Sequence, residues 1–188
     1  MDTMKIIEVI IIRLDAILRN FSLDPYYLYL ITIKSADLNL NSECFKSIHL
    51  FERCLKEVCN KDPTLKRIFL GQLKEVNVNT LTIRDDIKDR IISFASKGAK
   101  IFISSILPRK KCEEILRKEN ILEHVNDIVC GDEFLVERER INALLNRHRI
   151  NSEKIIYVGE LKFDENFKGI ALPPDEFIKT SKIEEEFC

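Results

Sequence analysis

Residues 8–20 read EVIIIRLDAILRN, and residues 5–12 (KIIEVIII) are β-branched and nearly continuous. An unbroken aliphatic run of this length fits a central strand buried on both faces, the pattern of a parallel sheet. The run ends on Arg13 and Asp15, which share one face of the extended chain. A buried strand that ends in a cation and an acid poses the question of what those two groups meet.

Beyond residue 84 the chain alternates regularly. RDDIKDRIISFASKG is an amphipathic helix stopped by Gly98, and AKIFISS is a strand ending in two serines. PRKKCEEILRKENI is a helix opened by Pro108, VNDIVCGDE a short strand ending at Gly131-Asp132, and ERERINALLNRHRI another helix. SEKIIYVGE is a strand ending at Gly159-Glu160, and GIALP a last short strand. Helix–strand alternation with short loops implies parallel β-α-β units. Before this rhythm begins, residues 26–34 (YYLYLITIK) read as a strand or hairpin arm, being aromatic and β-branched. Residues 42–75 carry apolar side chains at helical spacing, with Asp62-Pro63 as a helix start, and residues 77–83 read as a polar connector.

Composition bounds the class. The 188 residues suit one domain, or one domain with a small insert, 45% hydrophobic content fills a core, and a net charge of −1 gives no field that would draw nucleic acid or a membrane surface. The N-terminal apolar run is broken by Glu8 and Arg13, so it reads as neither a membrane span nor a signal peptide. The six cysteines (44, 54, 59, 112, 130 and 188) form no C-x-x-C pair and are expected to be small apolar core residues in a reducing cytoplasm. His49, His124 and His148 are isolated and are expected in surface or core roles. Neither a P-loop nor a G-x-G-x-x-G is present, which disfavours a nucleotide-binding Rossmann enzyme.

In an open parallel sheet, ligands sit beyond the carboxyl ends of the strands. Those ends carry Arg13/Asp15, Ser104/Ser105, Gly131/Asp132 and Glu160, with Asp164 four residues further on. In order and spacing they resemble the haloacid dehalogenase (HAD) superfamily, mostly phosphatases with a Rossmann-like core. RLDAIL is similar to the family's D-x-D-G-T-L loop, with Arg13 for the first Asp, Ala for Gly and Ile for Thr. KIFISS matches the second motif at Ser104, and IIYVGELKFD the fourth, with Glu160 for an Asp and Asp164 in place. ILEHVNDIVCGDEF is similar to the stretch before the third motif, whose Lys is replaced by Arg138 or Arg140; Arg138 is the preferred match, with a solvated first turn as its alternative.

The resemblance implies a Rossmann-like parallel sheet flanked by helices, an α/β core over 1–35 and 77–188, with a small helical cap insert over 36–76. It assigns the nucleophile's place to Arg13, the acid/base to Asp15, and phosphate contacts to Ser104 and Arg138. It assigns Mg²⁺ to Asp15, Glu160 and Asp164 if the family site is functional. A guanidinium stays protonated and cannot attack phosphorus, so the aspartyl-phosphate route is closed. An Asp→Arg exchange brings the charge that Mg²⁺ would supply, so Arg13 is expected to pair with Glu160 or Asp164, and no cofactor is expected. A solvated charge at a strand end is the other reading of Arg13.

A competing alignment places Asp37 at the nucleophile and Asn39 at the second acid of LITIKSADLNLN. Three functions follow: a non-catalytic or impaired binding or regulatory module, a phosphohydrolase using Asp37, or a structural, oligomer-forming protein. A small phosphorylated ligand or a protein is the expected partner, with no nucleic acid or membrane, in the cytoplasm.

Overall fold

The computed structural model describes residues 7–32, 40–160, 167 and 169–179. Asp37, Asn39, Asp164 and Cys188 lie outside the described residues. The aliphatic run forms β1 (Val9–Arg13), every residue of which is buried. It is flanked by β4 (Lys100–Ser104) and β6 (Ile155–Val158), and the sheet is completed by β5 (Asp127–Val129) and β7 (Ile170–Leu172) in the order β5-β4-β1-β6-β7. All four pairings are parallel. This is the α/β sheet expected from the alternation, and it sets every strand's carboxyl end on one edge.

Helices cover both faces, which is why the strands alternate two kinds of apolar contact rather than apolar with polar. Ile10, Ile12, Ile101, Ile103, Ile156 and Val158 face the larger core. That core includes Ile87 and Ile91 of α5 (Asp85–Ser96) and Cys112, Ile115 and Leu116 of α6 (Arg109–Lys118). Val9, Ile11, Phe102, Ile155 and Tyr157 face Ile141 and Leu144 of α7 (Glu137–His148). Side chains alternate with period two, so Arg13 falls on the α7 face with Val9 and Ile11. The register pairs Arg13 with Ser104, which shares the face of Phe102. Strand parity alone therefore aims Arg13, Ser104 and Tyr157 at the first turn of α7.

After β1 the chain makes a single helical turn, α1 (Leu14–Ile17), then β2 (Leu18–Arg19), which pairs antiparallel with β3 (Thr82–Ile83). The expected polar connector thus holds a short 3₁₀ turn, Val78–Thr80, and a two-residue strand. The segment expected as a strand at 26–34 is a helix where described, α2 (Pro25–Thr32). Asp24 caps it by accepting from Tyr27 N (2.8 Å), and Pro25 opens it. Pro25, Leu28 and Thr32 are buried at helical spacing, so capping and packing override the β-propensity of the tyrosines and isoleucine.

Residues 42–75 are helical as expected: a 3₁₀ turn, Ser42–Phe45, then α3 (Ile48–Lys61) and α4 (Pro63–Lys74). Ser47 caps α3 and Asp62 caps α4, accepting from Leu50 N and Thr64 N. A short terminal helix, α8 (Pro174–Phe177), packs Phe177 on Phe94. Cys44 and Cys54 are joined in a disulfide, which corrects the expectation of reduced thiols: the 3₁₀ turn folds back on α3 and brings their Cα atoms to 6.0 Å. Cys59, Cys112 and Cys130 are free and buried, as expected of small apolar residues.

Candidate functional site

Beyond the carboxyl ends of β1 and β4 lies a sealed cluster of charge. Arg13, Glu52, Ser104, Glu137 and Arg140 are each 0% exposed and Asp15 is 1%. Two guanidinium groups there meet three carboxyl groups in a dry interior, an arrangement sustained only by pairing and hydrogen bonds.

Arg13 makes the central contacts. Its Nε donates to Asp15 Oδ2 (3.2 Å), its Nη2 donates to Glu52 Oε1, and its Nη1 lies 3.5 Å from Glu137 Oε2. Burial by itself would lower the guanidinium's pKa, but Glu52, Glu137 and Asp15 reverse this and raise it well above its ordinary value. Arg13 is thus a fixed cation; of the two partners expected for it, Glu160 is not among its described contacts and Asp164 lies outside the described residues. Glu160 is exposed, and its main-chain oxygen faces His49 Nε2 at 3.3 Å. The described carboxylates that hold Arg13 come from α1, from α3 and from α7.

Arg140 completes the cluster. It donates through Nε to Ser104 Oγ (2.9 Å), through Nη1 to the carbonyls of Phe134 (2.9 Å) and Leu135 (3.0 Å), and through Nη2 to Glu52 Oε1 (3.3 Å). Glu137, one turn earlier on the same face, takes Ser104 Oγ (2.8 Å), Tyr157 OH (3.0 Å) and Arg140 Nε (3.1 Å). Burial would raise the Glu137 carboxyl, but Arg140 and Arg13 hold it down at about 2. Gly159 belongs to this construction, because a Cβ there would run into the Tyr157 ring on its way to Glu137.

Of the two arginines expected for the third motif, Arg140 is the one beside Ser104. Arg138 is exposed and lines a cleft between α3 and α7 with Arg53, Lys56 and Glu139. The helical stripe decides this: Glu137, Arg140, Ile141 and Leu144 are the buried face of α7, which excludes position 138. The same rule exposes one of the residues that sequence reasoning missed. Ile48, Phe51, Leu55 and Cys59 form the buried stripe of α3, and Glu52 sits inside it.

Asp15 faces the β4–α6 loop. Its Oδ1 pairs with Ser105 Oγ, and its Oδ2 accepts from Ile106 N (3.0 Å) as well as from Arg13. Burial outweighs the pull of Arg13 and Arg140, so its pKa is raised. Asp132, at the end of β5, does not join the cluster; both its oxygens accept from Arg109 N at 3.2 Å, at the start of α6.

Among the described residues, the two expected to hold a magnesium ion, Asp15 and Glu160, do not fit one; Asp164 lies outside them. A hard cation needs free carboxylate oxygens, but both oxygens of Asp15 are already engaged, one of them by a guanidinium. Glu160 is exposed at the edge rather than in the cluster.

The chain matches the family model described as haloacid dehalogenase-like hydrolase over residues 41–167, more than half its length and beginning after Arg13 and Asp15. Its fold is similar to that of a predicted phosphatase from Clostridium acetobutylicum, at a TM-score of 0.63 and 14% identity, covering 96% of this chain and 99% of that one. It is similar also to a haloacid dehalogenase-like family hydrolase from Streptococcus pneumoniae, at a TM-score of 0.54 and 17% identity, covering 88% and 79%. No curated protein matches the sequence. The match covers more than half of the chain, β4, β5 and β6 of the parallel α/β sheet included, and the chain belongs to the haloacid dehalogenase-like hydrolase family.

Proposed function

We propose that this family member does not hydrolyse phosphate esters and acts as a binding or regulatory module. One observation carries the reading: the side chain at the nucleophile's position is a fully buried guanidinium tied to Asp15, Glu52 and Glu137. A guanidinium has no lone pair to offer phosphorus, and Asp15 is committed to Arg13, Ser105 and Ile106. Ser104, which the resemblance would turn toward a phosphate, bonds to Glu137 and Arg140 instead, and Arg138, its expected companion, is exposed. Residues 36–76 are read as the helical cap insert, fastened over this closed crevice by Glu52.

With the crevice filled by the protein's own side chains, a protein partner is favoured over a small phosphorylated ligand. The exposed Tyr26, Tyr27 and Leu30 on α2 support an external contact. The test is turnover of p-nitrophenyl phosphate with and without Mg²⁺. No turnover above background is expected in either condition. Mg²⁺-dependent turnover would overturn the reading, and its loss in D37N would point to Asp37 as the nucleophile.

A further inference from the structure

Glu52 is the one member of the buried cluster that comes from α3 rather than from the strand ends or α7. Its Oε1 takes Arg13 Nη2 and Arg140 Nη2 (3.3 Å), and its Oε2 takes the main-chain N–H of Glu137 (2.9 Å) in the first turn of α7. These donors are held in place without it. Asp15 fixes Arg13 through Nε, while Ser104 and the carbonyls of Phe134 and Leu135 fix Arg140. Arg13 thus turns its Nη2 toward Glu52, Arg140 shares its Nη2 between Glu52 Oε1 and Glu137 Oε2 (2.5 Å), and a helix N-terminal N–H joins them. Among the described residues Arg13 Nη1 makes no hydrogen bond, and it faces Glu137 Oε2 at 3.5 Å. Two guanidinium donors and a first-turn N–H around one point make a receptor for a small carboxylate.

We infer that Glu52 is a tethered ligand in a pre-built buried carboxylate cradle, and that without its carboxylate the cradle takes a free small carboxylate. The inference rests on reading the crevice as closed and non-catalytic. Acetate is the natural probe, because it reproduces the part of the glutamate side chain lost in Glu52→Ala. Occupancy of the cradle by Glu52 also fastens α3 to the sheet edge, so vacating it loosens that helix.

The experiment compares thermal unfolding of E52A and wild type in acetate and in chloride at equal ionic strength and pH. Acetate is expected to raise the Tm of E52A saturably, by about 3–5 °C at ten times its Kd, and to leave wild type unchanged. Refolding yield is read in the same series, so an E52A chain that is unfolded in chloride must regain its folded signal in acetate. An E52A protein that responds alike to acetate and chloride, in both Tm and yield, overturns the inference. Phosphatase turnover by wild type would sink the functional reading whatever acetate does, and acetate-insensitivity would sink this one alone.

Discussion

Replacing Arg13 by Met keeps an unbranched chain of similar reach but removes the cation from three carboxyl groups. Asp15 loses an Nε donor at 3.2 Å, Glu52 loses an Nη2 donor, and Glu137 loses a charge 3.5 Å away. Arg140 is then the only cation against three acids in a cluster with no exposed member but Asp15, itself 1% exposed. Breaking a buried pair in this way costs about 3–5 kcal/mol, because the orphaned charges stay desolvated. For a chain of 188 residues this corresponds to a Tm lower by about 6–20 °C. Urea unfolding at pH 7, followed by circular dichroism, measures the loss. The double variant R13M/E52M removes one charge of each sign and should lose at least about 1.5 kcal/mol less than the sum of the two singles. A loss below about 1 kcal/mol for R13M, or strict additivity in the cycle, would refute the claim that these groups act as one network.

The acid limb of stability follows from Glu137. Its carboxyl is held at about 2 against an ordinary value near 4.5, so its contribution is present above the ordinary value and is lost as pH falls through about 2. Asp15 is raised and works in the opposite sense: its contribution is full below its ordinary value and is lost as pH rises through the folded one. Stability against urea between pH 5 and pH 2 should therefore fall less steeply in wild type than in D15N, where the opposing contribution of Asp15 is gone. Reduction of the Cys44–Cys54 disulfide, whose partners are 10 residues apart, should lower stability by about 2–3 kcal/mol, read as a lower urea midpoint in reductant. Arg13→Asp restores the family's acid but adds a fourth carboxyl group beside Arg140. It should be less stable than R13M and should show no Mg²⁺-dependent turnover of p-nitrophenyl phosphate.

The parallel core was legible because β1, β4 and β6 each present a short aliphatic run ended by polar residues, and helices with clear stops separate them from Gly98 onward. The α2 helix was not, since its tyrosines and isoleucine favour strand. Its start, Asp24-Pro25, repeats the signal that marks α4 at Asp62-Pro63, and only packing of Leu28 and Thr32 gives it weight. In the cluster, Arg13, Asp15 and Ser104 were visible as residues that end buried strands. Glu52 and Glu137 were hidden by their chemistry: a glutamate on a surface helix is ordinarily solvated, and only its place within an apolar stripe marks it as buried. Arg138 stands three residues before Ile141, the spacing on which it was preferred, but the buried face of α7 runs through Glu137, Arg140, Ile141 and Leu144 and excludes it. The disulfide was missed because a spacing of ten residues has no meaning until the chain turns between Cys44 and Cys54.

The most direct test is a crystal grown in Mg²⁺ and resolved well enough to distinguish a guanidinium from an octahedral ion. The density should show Arg13 lying among Asp15, Glu52 and Glu137, with no ion beside Asp15. Octahedral density against Asp15, with Arg13 swung out of the cluster, would contradict it.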